Sequence, residues 1–306
     1  MKKLAMFAIL LVLGAATHAA DMTPVQLALW NKLQIFPETT EVWGLRLDLL
    51  YGKNANMYGA DLGLVNNTAD MIGVEAGAVN WNRGDVLGIQ AGALFNANEG
   101  SSRIVGIQVA PVFNYASSHH AEVYGLQLAV GLNYMPDADV YGLQAAFWNG
   151  LRQNVYGAEL GGMLNNTRDM YGLEAALVNF SRGDSYGAQL AGLLNINAGE
   201  NSKVGGVQVA GLVNYAPNAQ VVGVQLSPFG NIVSDGSLEG LQISCWNTAK
   251  KMTGVQLGVV NLSNITNGAQ IGVFNKSDRM SGFQLGLINV INTSPLTGFP
   301  LFNVQF

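Results

Sequence analysis

Met252-Thr253-Gly254-Val255-Gln256-Leu257-Gly258-Val259-Val260-Asn261 is the phrase on which the fold turns, and it returns along the whole 306-residue chain. With its first glycine as position zero, the unit reads apolar, variable, Gly, apolar, Gln/Glu, apolar, Gly/Ala, apolar, apolar, Asn. Its anchors are Gly44, Gly59, Gly73, Gly88, Gly106, Gly125, Gly142, Gly157, Gly172, Gly187, Gly206, Gly223, Gly240, Gly254, Gly268 and Gly282, with degenerate copies at Pro24 and Gly298. A repeat this dense makes the chain an array of like units rather than a fold with one central site.

Successive anchors lie 14 to 20 residues apart. The units opening at Gly88, Gly106, Gly125, Gly157, Gly187, Gly206 and Gly223 carry one extra residue before the Asn, which predicts a bulge. A longer period lies above the short one, since Gly44, Gly142 and Gly240 are 98 residues apart and Arg83-Gly84-Asp85 returns as Arg182-Gly183-Asp184. The chain reads as a block of six units, duplicated and begun a third time.

Outside the repeat, Met1-Lys2-Lys3, the apolar run Leu4 to Gly14 and the small residues Ala15 to Ala20 have the pattern of a signal peptide, so residues 1–20 are expected to be removed and 21–306 to form one repeat-built β domain. Cys245 stands alone and excludes an internal disulfide; its place inside a strand unit predicts a small buried hydrophobe. Charged residues make up only 11% of the chain against 49% hydrophobic, a poor composition for a freely dispersed secreted protein. A net charge of −5 argues against nucleic acid as a partner.

Alternation across Tyr124, Leu126, Leu128, Val130, Leu132 and Tyr134 has the period of a β-strand, with Gly125, Gln127, Ala129, Gly131 and Asn133 on the other face. If positions −2 to +6 form one straight strand, it spans roughly 30 Å, and the five residues left in a 14-residue unit reach at most about 17 Å. They cannot bring a parallel coil back to its start, but they make ordinary hairpins. The near-palindrome about the Gln also suits strands that alternate in direction. The sequence therefore predicts an antiparallel up-and-down β-barrel of about eighteen strands, closed to remove its edges, greasy side outward, in the outer membrane or at the cell surface. Aromatic girdles would be Tyr58, Tyr124, Tyr141, Tyr156, Tyr171 and Tyr186 at one end, and Trp81, Tyr115, Tyr134, Phe180 and Tyr215 at the other. The alternating end, Phe302 to Phe306, resembles a barrel assembly signal. The alternative is a β-solenoid with 14–19-residue coils and two short sides per coil.

Within a barrel the position-two residues would line the lumen at mid-height: Arg46, Asp61, Glu75, Gln90, Gln108, Gln127, Gln144, Glu159, Glu174, Gln189, Gln208, Gln225, Gln242, Gln256, Gln270 and Gln284. Such a belt would favour small polar solutes or cations; the plainer reading is that these residues hydrogen-bond across strands and fill the interior. The two Arg-Gly-Asp tripeptides spell an adhesive motif and equally an ordinary turn. His119 and His120 share a polar loop, and the Asn-x-Ser/Thr sequons follow from asparagine-rich turns. Neither a nucleophile elbow, H-E-x-x-H, a phosphate loop nor a dinucleotide fingerprint occurs, so no enzyme activity, cofactor or metal is expected.

The repeat, with Thr23-Pro24-Val25-Gln26-Leu27-Ala28-Leu29-Trp30-Asn31 and Gly44-Leu45-Arg46-Leu47-Asp48-Leu49-Leu50-Tyr51-Gly52-Lys53-Asn54, resembles a family of bacterial surface-repeat proteins built from G-L-Q-L-G-L-x-N units. The resemblance covers essentially all of the chain after the leader and implies export and surface exposure, but no activity. Some similar chains carry a polyhydroxyalkanoate-synthase name, an activity that the absent cysteine elbow does not support. Expected functions are a passive pore or structural surface protein in outer-membrane lipid or, for the solenoid, an exported surface protein binding a host or glycan partner.

Overall fold

The computed structural model describes residues 22–100, 103–117, 121–136, 138–151, 154–295 and 297–305. The expected leader, His119, His120 and Phe306 lie outside the described residues. The chain divides into two compact units, Met1–Ala138 and Asp139–Phe306.

Each unit is a parallel β-solenoid. In the first, Glu41–Asp48, Asn56–Thr68, Asp70–Asn82 and Val86–Glu99 stack in parallel register, with Gly44, Gly59, Gly73 and Gly88 directly above one another. Arg103–Ala110 and Ala121–Ala129 continue the same column. In the second, Val155–Thr167, Met170–Ser181 and Ser185–Asn197 align Gly157, Gly172 and Gly187, and the stack runs on through Gly206, Gly223, Gly240 and Gly254. Antiparallel pairs occur in each unit: Met22–Trp30 with Leu33–Gln34, and Trp246–Ile291 with the last strand, Gly298–Gln305.

The expected barrel of about eighteen antiparallel strands is therefore corrected to the solenoid, and the error can be traced to one assumption. The unit is not a single straight strand. It bends about five residues after the glycine, so positions −2 to +3 form one side of a flat coil and the residues around the Asn, such as Val178-Asn179-Phe180-Ser181, form the other. No long return is needed because the second half of the unit is the return. The extra residue in the longer units is the expected bulge and sits at this bend: Gly77 and Val79 face Gly92 and Phe95, a step of two against a step of three.

The near-palindrome has two separate causes, neither of them strand reversal. At position zero the backbone is in a left-handed conformation, with φ of 140° at Gly157, and a Cβ there would collide with the carbonyl oxygen of Gly142 in the coil before. At position +4 the side chain points inward, where a Cβ on Gly77 would lie 2.8 Å from the amide atoms of both Asn66 and Asn80. Small residues are needed there to make room for the asparagine.

Polar groups occupy much of the inside and apolar ones much of the outside. The interior holds the Gln and Asn columns and one apolar column at position −2, including Met57, Met71, Val86, Val155 and Met170. The side chains at +1, +3 and the bend face outward, many of them exposed, such as Leu62, Val74, Leu173 and Leu190. The expected aromatic girdles become outer ladders instead: Tyr141, Tyr156 and Tyr171 stack at 4.8 and 4.9 Å with rings 5° from parallel, and Tyr186 follows at 5.6 Å.

Candidate functional site: the interior polar ladders

All sixteen position-two residues are buried, none more than 3% exposed. They form columns inside the coils rather than a belt around a lumen. In the second unit the glutamine amides from Gln208 onward each donate to the one before: Gln284 to Gln270 at 2.7 Å, Gln270 to Gln256 and Gln256 to Gln242 at 2.8 Å. The run continues through Gln225 and Gln208 to Gln189, which donates to Glu174 Oε2 at 2.8 Å. In the first unit Gln127 donates to Gln108 at 2.6 Å, Gln108 to Gln90, and Gln90 to Glu75 Oε2 at 2.8 Å.

The asparagine column runs the other way. Asn179 Nδ2 donates forward to Asn195 Oδ1 at 2.9 Å, Asn195 to Asn214 at 2.9 Å and Asn214 to Asn231 at 2.8 Å. Each amide also donates to a carbonyl of the next coil, as Asn179 does to Leu190 at 3.0 Å and Asn195 to Val209 at 3.0 Å. Those carbonyls stand at the bend, next to the interruption of the strand ladder, and burial without a partner would be costly. This explains why an Asn follows the glycine by seven or eight residues.

Charge enters this interior at two places. In the first unit, Arg46 donates from Nε to Asp61 Oδ1 at 2.8 Å and from Nη2 to Asp61 Oδ2, while Asp48 Oδ2 lies 2.9 Å from its Nε. Its remaining nitrogen reaches Asn67 O at 3.2 Å and Asn54 Oδ1 at 3.4 Å. Burial pushes the Asp48 carboxyl up to about 7 against the pull of Arg46. One coil further, Glu75 Oε2 accepts from Asn82 and Gln90, both at 2.8 Å. Burial, then the charge of Asp61, raises Glu75 to about 8.

In the second unit, Glu159 and Glu174 fall on neighbouring rungs, in register and fully buried. Neither oxygen of Glu159 has a hydrogen-bond partner, nor does Oε1 of Glu174. Burial raises both carboxyls, Glu174 to about 7, and the neighbouring Glu174 pushes Glu159 further. A carboxylate in a row built for amides can accept but not donate, whereas a neutral carboxylic acid does both. Burial favours that neutral form at both glutamine positions.

The Arg-Gly-Asp tripeptides are turn chemistry. Asp85 Oδ1 accepts the Arg103 backbone N–H and Asp184 Oδ1 that of Lys203, both at 2.8 Å, so each carboxylate caps the next coil. Cys245, expected to be buried, is exposed at the bend of its coil. Among the described residues, no group of three or more His, Cys, Asp or Glu side chains is placed to hold a metal. Sequence reasoning missed Asp48 and the separate role of the bend, although the apolar residue two before nearly every ladder Asn was a visible signal.

Fold and interior together define a repeat protein of the parallel β-solenoid class, with amide ladders inside and apolar faces outside. No family model, curated protein or solved structure matches the chain.

Proposed function

We propose that this is an exported structural surface protein, a scaffold that works through its outer faces and neither conducts solutes nor catalyses a reaction. The observation that carries the reading is that the sixteen position-two residues are all buried inside the coils, most of them hydrogen-bonded or ion-paired to a neighbouring rung, while what the coils offer to a partner is an ordered outer surface. A pore needs its polar belt in contact with water, and these side chains have no such contact. A general acid or nucleophile needs access to substrate, and Glu159 and Glu174 have none.

Adhesion to a host or glycan partner belongs to the same reading. The stacked tyrosines cover one another's ring faces, so sugars would meet ring edges and hydroxyls rather than open aromatic platforms. The test is surface display: intact cells treated with a protease should lose an epitope tag inserted in the turn at 199–201, and fractionation should place the protein with the envelope. Recovery in the cytoplasm, with the tag protected, would overturn the proposal.

A further inference from the structure

We propose that the second unit seats its bend edge in one leaflet of a lipid bilayer, a partner surface that rests on the surface-scaffold reading and deepens it. The outer side chains are segregated around the coil. Two residues before each ladder asparagine stands an apolar side chain at the bend, and the column includes Phe147 (55% exposed), Met163 (49%), Phe229 (61%), Val259 (48%) and Leu287 (62%). In this unit, from the Gly142 coil to the Gly282 coil, the side chains at this ridge and at +1 and +3 are all apolar. Charge gathers at the opposite edge, in turns such as Arg168-Asp169 and Arg182-Gly183-Asp184, and Lys276 on the second flank has a stem long enough to carry its ammonium group toward that edge.

Dimensions fit a single leaflet. From position +1 to the ridge is about four residues, which at roughly 3.3 Å per residue is about 13 Å. Half of a hydrocarbon core about 30 Å thick is about 15 Å. With the ridge at the tail ends, the tyrosine ladder at position −1 (Tyr141, Tyr156, Tyr171 and Tyr186) comes to the headgroup level, where aromatic rings with a polar tip are favoured. The charged turns then remain in water.

Lipid is favoured over a second copy by shape. The ridge is convex and flanked by exposed apolar side chains on one side, such as Leu173 and Leu190, and by Trp148, Trp246 and Ile288 on the other. A second copy laid on one flat flank would leave the ridge and the other flank in water. A leaflet covers all three at once, by the burial of apolar area that holds interfacial proteins.

Cys245, the sole cysteine, provides a probe on the ridge without mutation. The full-length protein, labelled there with an environment-sensitive fluorophore and mixed with phosphatidylcholine vesicles, should shift to the blue and be quenched more by quenchers on the acyl tails than by quenchers on the headgroup. It should also float with the vesicles, and L177D/L193D should lower the floated fraction at least tenfold while retaining the wild-type circular dichroism spectrum. If that double variant misfolds, the Cys245 quenching profile decides alone. Absence of flotation or a headgroup-level probe overturns the proposal. Lipid-free self-association abolished by L177D/L193D would assign the ridge to a second copy and also overturn it. Surface display on cells is read separately, so either idea can fail without the other.

Discussion

Glu159 and Glu174 stand on adjacent rungs of one buried ladder, paired in register, where the neighbouring coils place glutamine. Burial holds Glu174 near 7, above its ordinary 4.5, and Glu159 is raised further by its neighbour. Between those values the folded protein binds more protons than the unfolded chain, so stability is greatest below pH 4.5 and is lost as pH rises through 7. At about 1.4 kcal/mol per pKa unit, Glu174 alone accounts for about 3 kcal/mol. Thermal melts between pH 4.5 and 8.5 should show a falling Tm, and E159Q/E174Q should reduce that dependence to the part that Asp48 and Glu75 carry and raise the Tm at pH 8.5. A double variant no more stable than wild type at pH 8.5 would refute the neutral-acid assignment.

Arg46 answers the same problem in the first unit with an opposite charge. It faces Asp48 and Asp61, so Arg46→Met leaves two buried carboxyls without their cation. Breaking such a pair from one side costs about 3–5 kcal/mol. The loss should be smaller at pH 5 than at pH 8, because the carboxyls can then take up protons. Equal destabilisation at both values in urea titrations would show that packing, and not charge, is what Arg46 supplies.

Much of this architecture was legible in the sequence. The anchors from Gly44 to Gly282, the bulge in the longer units and the common environment of the position-two residues all follow from spacing and alternation. Strand direction was not legible, because Gly254 and Gly258 flank Gln256 symmetrically for reasons that are not symmetric: one holds a left-handed backbone conformation, and the other, without a positive φ, packs against the carbonyl of Ser244 and the amides of Asn247 and Asn261. Nor does alternation say which face is inside. Leu173 and Leu190 look like core residues and stand outside, because the inward positions beside them on the same rungs are taken by Glu174 and Gln189 of the polar ladder.

A glycine pressed against the backbone of the preceding coil and a glycine on the outer surface of the bend predict different mutational costs. At Gly157 a Cβ meets backbone from the preceding coil and φ is 140°, so Gly157→Ala should destabilise by at least ~3 kcal/mol. At Gly162 the nearest atom is a side-chain carbon of the exposed Phe147, 3.1 Å away, which can move outward. Gly162→Ala should cost less than ~1 kcal/mol. Denaturant midpoints of the two variants decide the matter, and similar values would contradict the assigned backbone conformation.

Asn195 links three successive coils. Its Oδ1 accepts from Asn179 at 2.9 Å, and its Nδ2 donates to Asn214 at 2.9 Å and to Val209 O at 3.0 Å. Asn195→Leu strands a donor and two acceptors in the interior, at about 1–3 kcal/mol for each. An overall loss of at least ~3 kcal/mol is expected. Leu193→Gln, on the exposed ridge two residues earlier, should stay within ~0.5 kcal/mol of wild type in detergent-free buffer. Comparable losses from both would mean that the asparagine row is not a structural spine.

The last strand reverses direction and thereby closes the stack. Gly298–Gln305 pairs antiparallel with the final coil, Gly282 facing Gln305 and Val290 facing Gly298. Its side chains Phe299 and Phe302 remain exposed, so its contribution is less core than coverage of an edge. Without it, the edge of the final coil would present free N–H and C=O groups in the register that accepts another parallel strand, the condition under which solenoid ends and edge strands associate. Deletion of residues 298–306 should therefore leave the circular dichroism spectrum nearly unchanged while converting a fixed-mass species into one whose mass grows with concentration in analytical ultracentrifugation. L285K, which adds charge to the uncovered strand, should reverse that growth; association that survives it would place the sticky surface elsewhere.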